Sequence, residues 1–79
     1  METIISVQFK NKNKEFVGRT YDFLLCEDEE VPKTGDIVRL LDPNYELKFY
    51  GTRVKLTNVR VTSEPVKYDR VRYLKAALD

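Results

Sequence analysis

Apolar and polar residues alternate with a period of two along most of this chain, the pattern of half-buried β-strands. Ile5, Val7 and Phe9 share one side of residues 3–9, and Ile4, Ser6 and Gln8 the other. This predicts a first strand with a firmly apolar face. Lys10-Asn11-Lys12-Asn13-Lys14 reads as a polar hairpin tip. Phe16 to Leu25 then alternates as a second strand, with Tyr21, Phe23 and Leu25 expected inside. Gly18 in its middle predicts a bulge or sharp bend, and Arg19 beside it belongs at a rim.

Val31-Pro32-Lys33-Thr34 leads through Gly35-Asp36 into the β-branched pair Ile37-Val38. A Pro/Gly turn feeding such a run starts a strand, here Asp36–Leu41 with Val38 and Leu40 inward. Asp42-Pro43-Asn44 is a turn signal. Glu46 to Tyr50 alternates again, Leu47 and Phe49 against Lys48 and Tyr50, until Gly51-Thr52 breaks the run. Arg53 to Thr62 resumes as a strand. Within it Val54 and Leu56 are out of phase with Val59 and Val61, so a bulge near Thr57-Asn58 is expected to repair the register. At the C-terminus Tyr68, Val71, Leu74 and Leu78 have helical spacing, yet the same stretch also alternates, placing Leu74, Ala76 and Leu78 on one face. The reading preferred here is a turn over 64–70 followed by a closing strand, with a short helix as the alternative.

Closely spaced short strands predict a mainly β domain, a small SH3-like or OB-like barrel of about five to six strands with a short C-terminal helix or turn as an option. With 79 residues the chain is one domain, 1–79, whose core is modest. That favours a binding surface over a deep enclosed active site.

Charge changes the picture little: 14 Lys+Arg against 13 Asp+Glu leave a formal net charge of +1. Any electrostatic function must come from local clustering. Cys26 is the single cysteine and there is no histidine, so an intrachain disulfide, a Cys/His zinc site and the usual nucleophilic triads cannot be built. The three glycines form no P-loop or dinucleotide pattern. A non-enzymatic protein without cofactor or metal is expected. No charged-then-apolar leader pattern is seen, and the apolar runs are too short to cross a bilayer. A cytoplasmic protein that does not engage membranes is the expectation.

Ser6-Val7-Gln8-Phe9, Thr20-Tyr21-Asp22-Phe23-Leu24, Gly35-Asp36-Ile37-Val38 and Tyr73-Leu74-Lys75-Ala76-Ala77-Leu78-Asp79 follow one another in a recognisable order. Together they resemble small, mostly uncharacterised β-barrel proteins of Gram-positive phages and mobile elements. The resemblance implies an accessory binding protein and carries over no functional residue.

The leading candidate surface is basic and aromatic: Tyr45, Lys48, Phe49, Tyr50, Arg53, Lys55 and Arg60. Exposed aromatic residues interleaved with cations can anchor a protein partner or stack the bases of single-stranded nucleic acid. The plainer reading puts Phe49 in the core, Tyr45 and Tyr50 over the barrel end, and the cations on a solvated edge. Lys10, Lys12, Lys14 and Arg19 would extend this surface, or simply solvate a hairpin tip. Glu27-Asp28-Glu29-Glu30 reads as a solvated, mobile acidic loop. Cys26, followed by acids that would raise its thiol pKa, reads as a small core or edge residue. The expected function is protein–protein binding, with nucleic-acid binding through residues 45–60 as the alternative. An open edge on the first or last strand would allow copies to pair.

Overall fold

Strands with one apolar face must bury that face, and in this chain the faces close on one another. The computed structural model describes residues 1–44, 46 and 53–76. They form β1 (Glu2–Lys10), β2 (Phe16–Leu25), β3 (Ile37–Leu41), β4 (Arg53–Thr62) and β5 (Arg70–Lys75). The sheet is a closed barrel in the order β1-β2-β5-β3-β4, with β4 paired back to β1. Pairings are antiparallel except between β2 and β5, which run parallel over Leu24↔Arg70 and Leu25↔Val71. The chain is therefore a small all-strand barrel of the SH3-like or OB-like class, and no helix occurs among the described residues. The alternation of Glu46 to Tyr50 falls largely outside the described residues.

Ile5, Val7, Phe23, Val38, Leu40, Val54, Leu56 and Val71 are buried together in the barrel, with Phe9, Val59 and Tyr73 packed against them. Val54 and Leu56 reach the same interior as Val59 because Thr57 is an extra residue: Ser6 faces Asn58 while Val7 faces Leu56. The Thr57 hydroxyl donates to the Ser6 carbonyl at 3.2 Å and so satisfies a group at the interruption. In β2, Gln8 faces Thr20 and Lys10 faces Phe16, so Val17, Gly18 and Arg19 stand opposite the single Phe9. Gly18 has φ 94°, a left-handed conformation that glycine adopts without a Cβ clash. The predicted bend lies there.

Gly35, also at φ 94°, turns the chain into β3. Its N–H donates to the Leu56 carbonyl at 2.7 Å, and the Leu56 N–H donates to the Asp36 carbonyl at 2.9 Å. The turn is thereby stitched to the middle of β4.

Three expectations are corrected. β5 is a strand, but it points Val71 and Tyr73 into the core and leaves Leu74 exposed on the outer side. Leu78, the third residue of the expected face, lies outside the described residues. Tyr21 has inward parity yet remains 42% exposed, because β5 accompanies β2 only from Leu24 onward. The run 27–30 is solvated as expected, with Glu27, Asp28 and Glu30 exposed, yet it is not loose: Arg72 pairs with Asp28 and Glu29, and the Tyr73 hydroxyl donates to the Glu30 carbonyl at 2.7 Å. Burial, aided by the charges of Glu30, Glu29 and Asp36, pushes the Tyr73 pKa up and keeps that hydroxyl a neutral donor.

The outer face of β1 and β2 is tied down as well. Ser6 donates to Asp22 at 2.5 Å, and Arg60 reaches both, Nη1 to the Ser6 hydroxyl at 2.9 Å and Nη2 to Asp22 at 3.3 Å. The segment 63–69 returns along this side, where the Asp69 carbonyl accepts from the Leu24 N–H at 2.8 Å. Ile4 and Leu24, which point away from the core, are buried here too.

The Ser6 hydroxyl, more than any other neighbour, holds the Asp22 carboxyl below its ordinary pKa; partial burial opposes it, and Arg60 and the Tyr68 hydroxyl add to it. A folded-state pKa below the unfolded one stabilises fully above about pH 4 and is lost as pH falls through the folded value. Thermal midpoints followed by circular dichroism from about pH 6 to pH 2 should fall less steeply for Asp22→Asn than for the parent chain. Parallel curves would contradict this role for Asp22.

Candidate functional site

The described residues place a basic and aromatic cluster at the hairpin end of β1 and β2. Asn11 builds the tip. Its side-chain oxygen accepts from the N–H groups of Asn13 and Glu15, both at 2.9 Å. Its backbone N–H donates to the Glu15 carbonyl at 2.9 Å, and its carbonyl accepts from Lys14 at 3.0 Å. Lys14 takes φ 61°, a left-handed geometry that closes the turn. Lys12 and Lys14 are thus held out on a structured tip rather than a loose one.

Beneath the tip lies a cleft of about 410 Å³ lined by Phe9, Lys10, Asn11, Val17, Arg19 and Tyr21. That volume is in the range of ligand pockets and suits one or two side chains. Its walls are aromatic and aliphatic. Phe9 and Tyr21 meet edge to face at 5.2 Å between ring centroids. The Arg19 guanidinium lies over the Tyr21 ring at 5.2 Å, and the Lys10 ammonium over the Phe16 ring at 5.7 Å. Val17 is 53% exposed, and every residue from Val17 to Tyr21 faces solvent. Four cations and one acid, Glu15, occupy residues 9–21.

The bend at Gly18 brings this cluster together. It shifts Val17 and Arg19 relative to Phe9 and opens the space between them. The cations of the tip are visible in the sequence; the exposed aromatic wall is not, because alternation assigns Tyr21 to the core.

The seven residues singled out from the sequence are distributed differently. Tyr45, Lys48, Phe49 and Tyr50 lie outside the described residues. Arg53 and Lys55 sit on β4 where it pairs with β3, Arg53 opposite Arg39 and half-buried, Lys55 opposite Ile37 and exposed. Arg60 is farther along β4, beyond the Thr57 bulge, and its guanidinium is engaged by Ser6 and Asp22. Arg60 therefore serves the β1–β2–β4 face and does not join Arg53 and Lys55 in one patch.

The opposite end of β1 and β2 is acidic. A groove of about 340 Å³ there includes Glu2, Cys26, Glu27, Glu29 and Val31. Two of its carboxylates are already paired, Glu2 with Arg70 and Glu29 with Arg72. Among the described residues no group of three His, Cys, Asp or Glu is arranged to hold a metal ion. Cys26 is buried.

No protein-family model matches this chain, and no curated protein or solved structure is significantly similar to it.

Proposed function

We propose that this small barrel is a non-enzymatic binding module for a partner protein, with the cleft between Phe9, Val17 and Tyr21 as its contact surface. The observation that carries the reading is an aromatic cleft, with Lys10 and Arg19 in its lining, mounted on a hydrogen-bonded hairpin. Tyr and Arg dominate binding energy at interfaces because each offers a large contact area with few rotors or several donors. A rigid mount adds affinity by reducing the ordering cost on association. A cytoplasmic accessory role of the kind the phage-like resemblance implies belongs to the same proposal.

Nucleic acid is the competing ligand. Base stacking needs a free ring face, and Arg19 covers one face of Tyr21. Of the cations in residues 45–60, Arg60 is occupied by Asp22. Both facts favour a protein partner.

Panning a random peptide display library against the folded chain tests this. Clones should enrich on the parent chain, and Tyr21→Ala should weaken their binding roughly tenfold or more, as truncating an interface anchor does. Its thermal midpoint should barely move, because Tyr21 is largely exposed. Failure to enrich any clone, or equal binding to Tyr21→Ala, would overturn the reading. So would tight binding of single-stranded oligonucleotides with the steep salt dependence of phosphate contacts.

A further inference from the structure

The cations of residues 9–21 and the acids of residues 27–30 stand at opposite ends of β1 and β2. Both charged residues in the lining of the cleft, Lys10 and Arg19, are cations. Lys12, Lys14 and Arg19 are exposed and in no salt bridge among the described residues. At the far end the same holds for Glu27 and Glu30. β1 is nine residues long, so the two ends lie roughly 25 Å apart. One molecule therefore cannot bring these acids to its own cations.

Val31 follows the acids and is 53% exposed. It borders the acidic groove together with Glu27 and Glu29. Its backbone is fixed on both sides. The Glu30 carbonyl before it accepts from the Tyr73 hydroxyl at 2.7 Å, and Pro32 after it is buried. A residue that precedes proline is also confined to extended geometry. An aliphatic side chain is thus held out among carboxylates. The cleft is its complement, with apolar walls of Phe9, Val17 and Tyr21, cations in the lining and room for one or two side chains.

The other exposed aliphatic side chains match the cleft less well. Leu74 lies opposite Arg39 and beside Lys75, and Val61 is beside Arg60. Met1 borders the acidic groove too, but it precedes β1 and has no anchored residue on both sides. The edges expected to be open on the first and last strands are paired, since β1 lies between β2 and β4, and β5 between β2 and β3. Contact between copies therefore falls to side chains at the barrel ends.

Resting on the protein-binding reading above, we infer that the partner is a second copy of this chain, whose Val31 enters the Phe9–Val17–Tyr21 cleft while its Glu27 and Glu30 meet Arg19 and the tip lysines. Opposite charges steer the two ends together, and the fixed mounts on both sides lower the ordering cost. Each copy carries one knob and one cleft at opposite ends. The contact is therefore heterologous and repeats until a ring closes, the smallest ring being a reciprocal pair. A contact this small is weak and depends on concentration.

The full chain is its own probe. Sedimentation from about 10 μM to 1 mM should show a particle mass that rises above the monomer's. Two variants separate the halves of the contact: Val31→Lys removes the knob, and Tyr21→Ala opens the cleft wall. Both positions are exposed, so thermal midpoints should barely move. Alone, each variant should associate at least about tenfold more weakly than the parent. Mixed, the two should form a one-to-one pair and nothing larger, because one intact cleft and one intact knob remain. On an isotopically labelled Val31→Lys chain, unlabelled Tyr21→Ala chain should shift the amides between Phe9 and Tyr21. A monomer at every concentration up to about 1 mM would overturn the inference. So would variants that associate as well as the parent, or a mixture that forms no pair. In each of these cases, clones from the display library that still require Tyr21 would leave the module reading standing. Loss of both would remove the reading itself.

Discussion

Leu56→Ala should remove most of the stability of this barrel. Leu56 is fully buried between the strands and lies in the cluster with Ile5, Val7 and Val54. Truncating a buried leucine to alanine costs about 3–4 kcal/mol, from lost transfer free energy and the cavity left behind. A chain of this size is stable by only roughly 4–10 kcal/mol. The thermal midpoint should therefore fall by roughly 15–25 °C. Closed barrels relax little around a cavity, because each strand is fixed on both sides. The Leu56 backbone adds to this rigidity, since its N–H and C=O are both bonded to the Gly35-Asp36 turn. Leu74→Ala is the matched comparison. Leu74 is 53% exposed on the outer side of β5, so its truncation should change stability by no more than about 0.5 kcal/mol. Thermal or urea unfolding of the two variants checks the inside and outside of the barrel together. Equal losses would contradict the assigned faces of β5.

Arg72→Ala should produce the second large loss. The Arg72 side chain is only 15% exposed, and Nη1 lies 3.2 Å from the Glu29 carboxylate, itself 19% exposed. Nη2 donates to Asp28 at 2.9 Å and Nε to the Pro43 carbonyl at 3.3 Å. The Arg72 hydrogen bond is also the chief reason the Asp28 pKa is lowered. One guanidinium thus fastens the 27–30 run and the turn after β3 to β5. Removing it leaves Glu29 poorly solvated and without this counterion, at a cost of about 2–3 kcal/mol. Arg72→Lys should recover only part, because an ammonium cannot reproduce the planar fork that serves three acceptors. Urea midpoints measure the loss, and limited proteolysis within 27–33 should become faster in Arg72→Ala. A midpoint unchanged within about 0.5 kcal/mol would show that the pairs are merely superficial.

Features written into the chain locally were legible. The phase break between Val54-Leu56 and Val59-Val61 announces the Thr57 bulge, because a period of two admits no other repair. Gly18 announces the bend, and the Pro32–Gly35 turn announces β3. Features that depend on distant partners were not. Alternation puts Tyr21 inward, but burial also requires a strand beside it, and how far β5 accompanies β2 is not encoded in β2. The insertion of β5 between β2 and β3 likewise has no local signal. Alternation alone does not assign the faces of β5, because Leu74, Ala76 and Leu78 form as regular a series as Val71 and Tyr73; only the neighbours decide which side is inside. The acidic run reads as loose until Arg72, more than 40 residues away, is brought against it. The candidate site shares this character. Its lysines and Arg19 stand out in the sequence, whereas its aromatic wall depends on where β5 stops accompanying β2. The stretch from Gly35 to Leu40 is scaffold in the same sense: its turn fixes β3 to β4 and lies apart from the cleft.

The most direct measurement is a map of backbone amide shifts on the isotopically labelled chain during titration with a display-selected peptide. Shifts concentrated between Phe9 and Asp22, reduced in Tyr21→Ala, are the predicted result. Shifts centred on another face, such as the β3–β4 surface carrying Arg53 and Lys55, with the hairpin end of β1 and β2 unmoved, would contradict it.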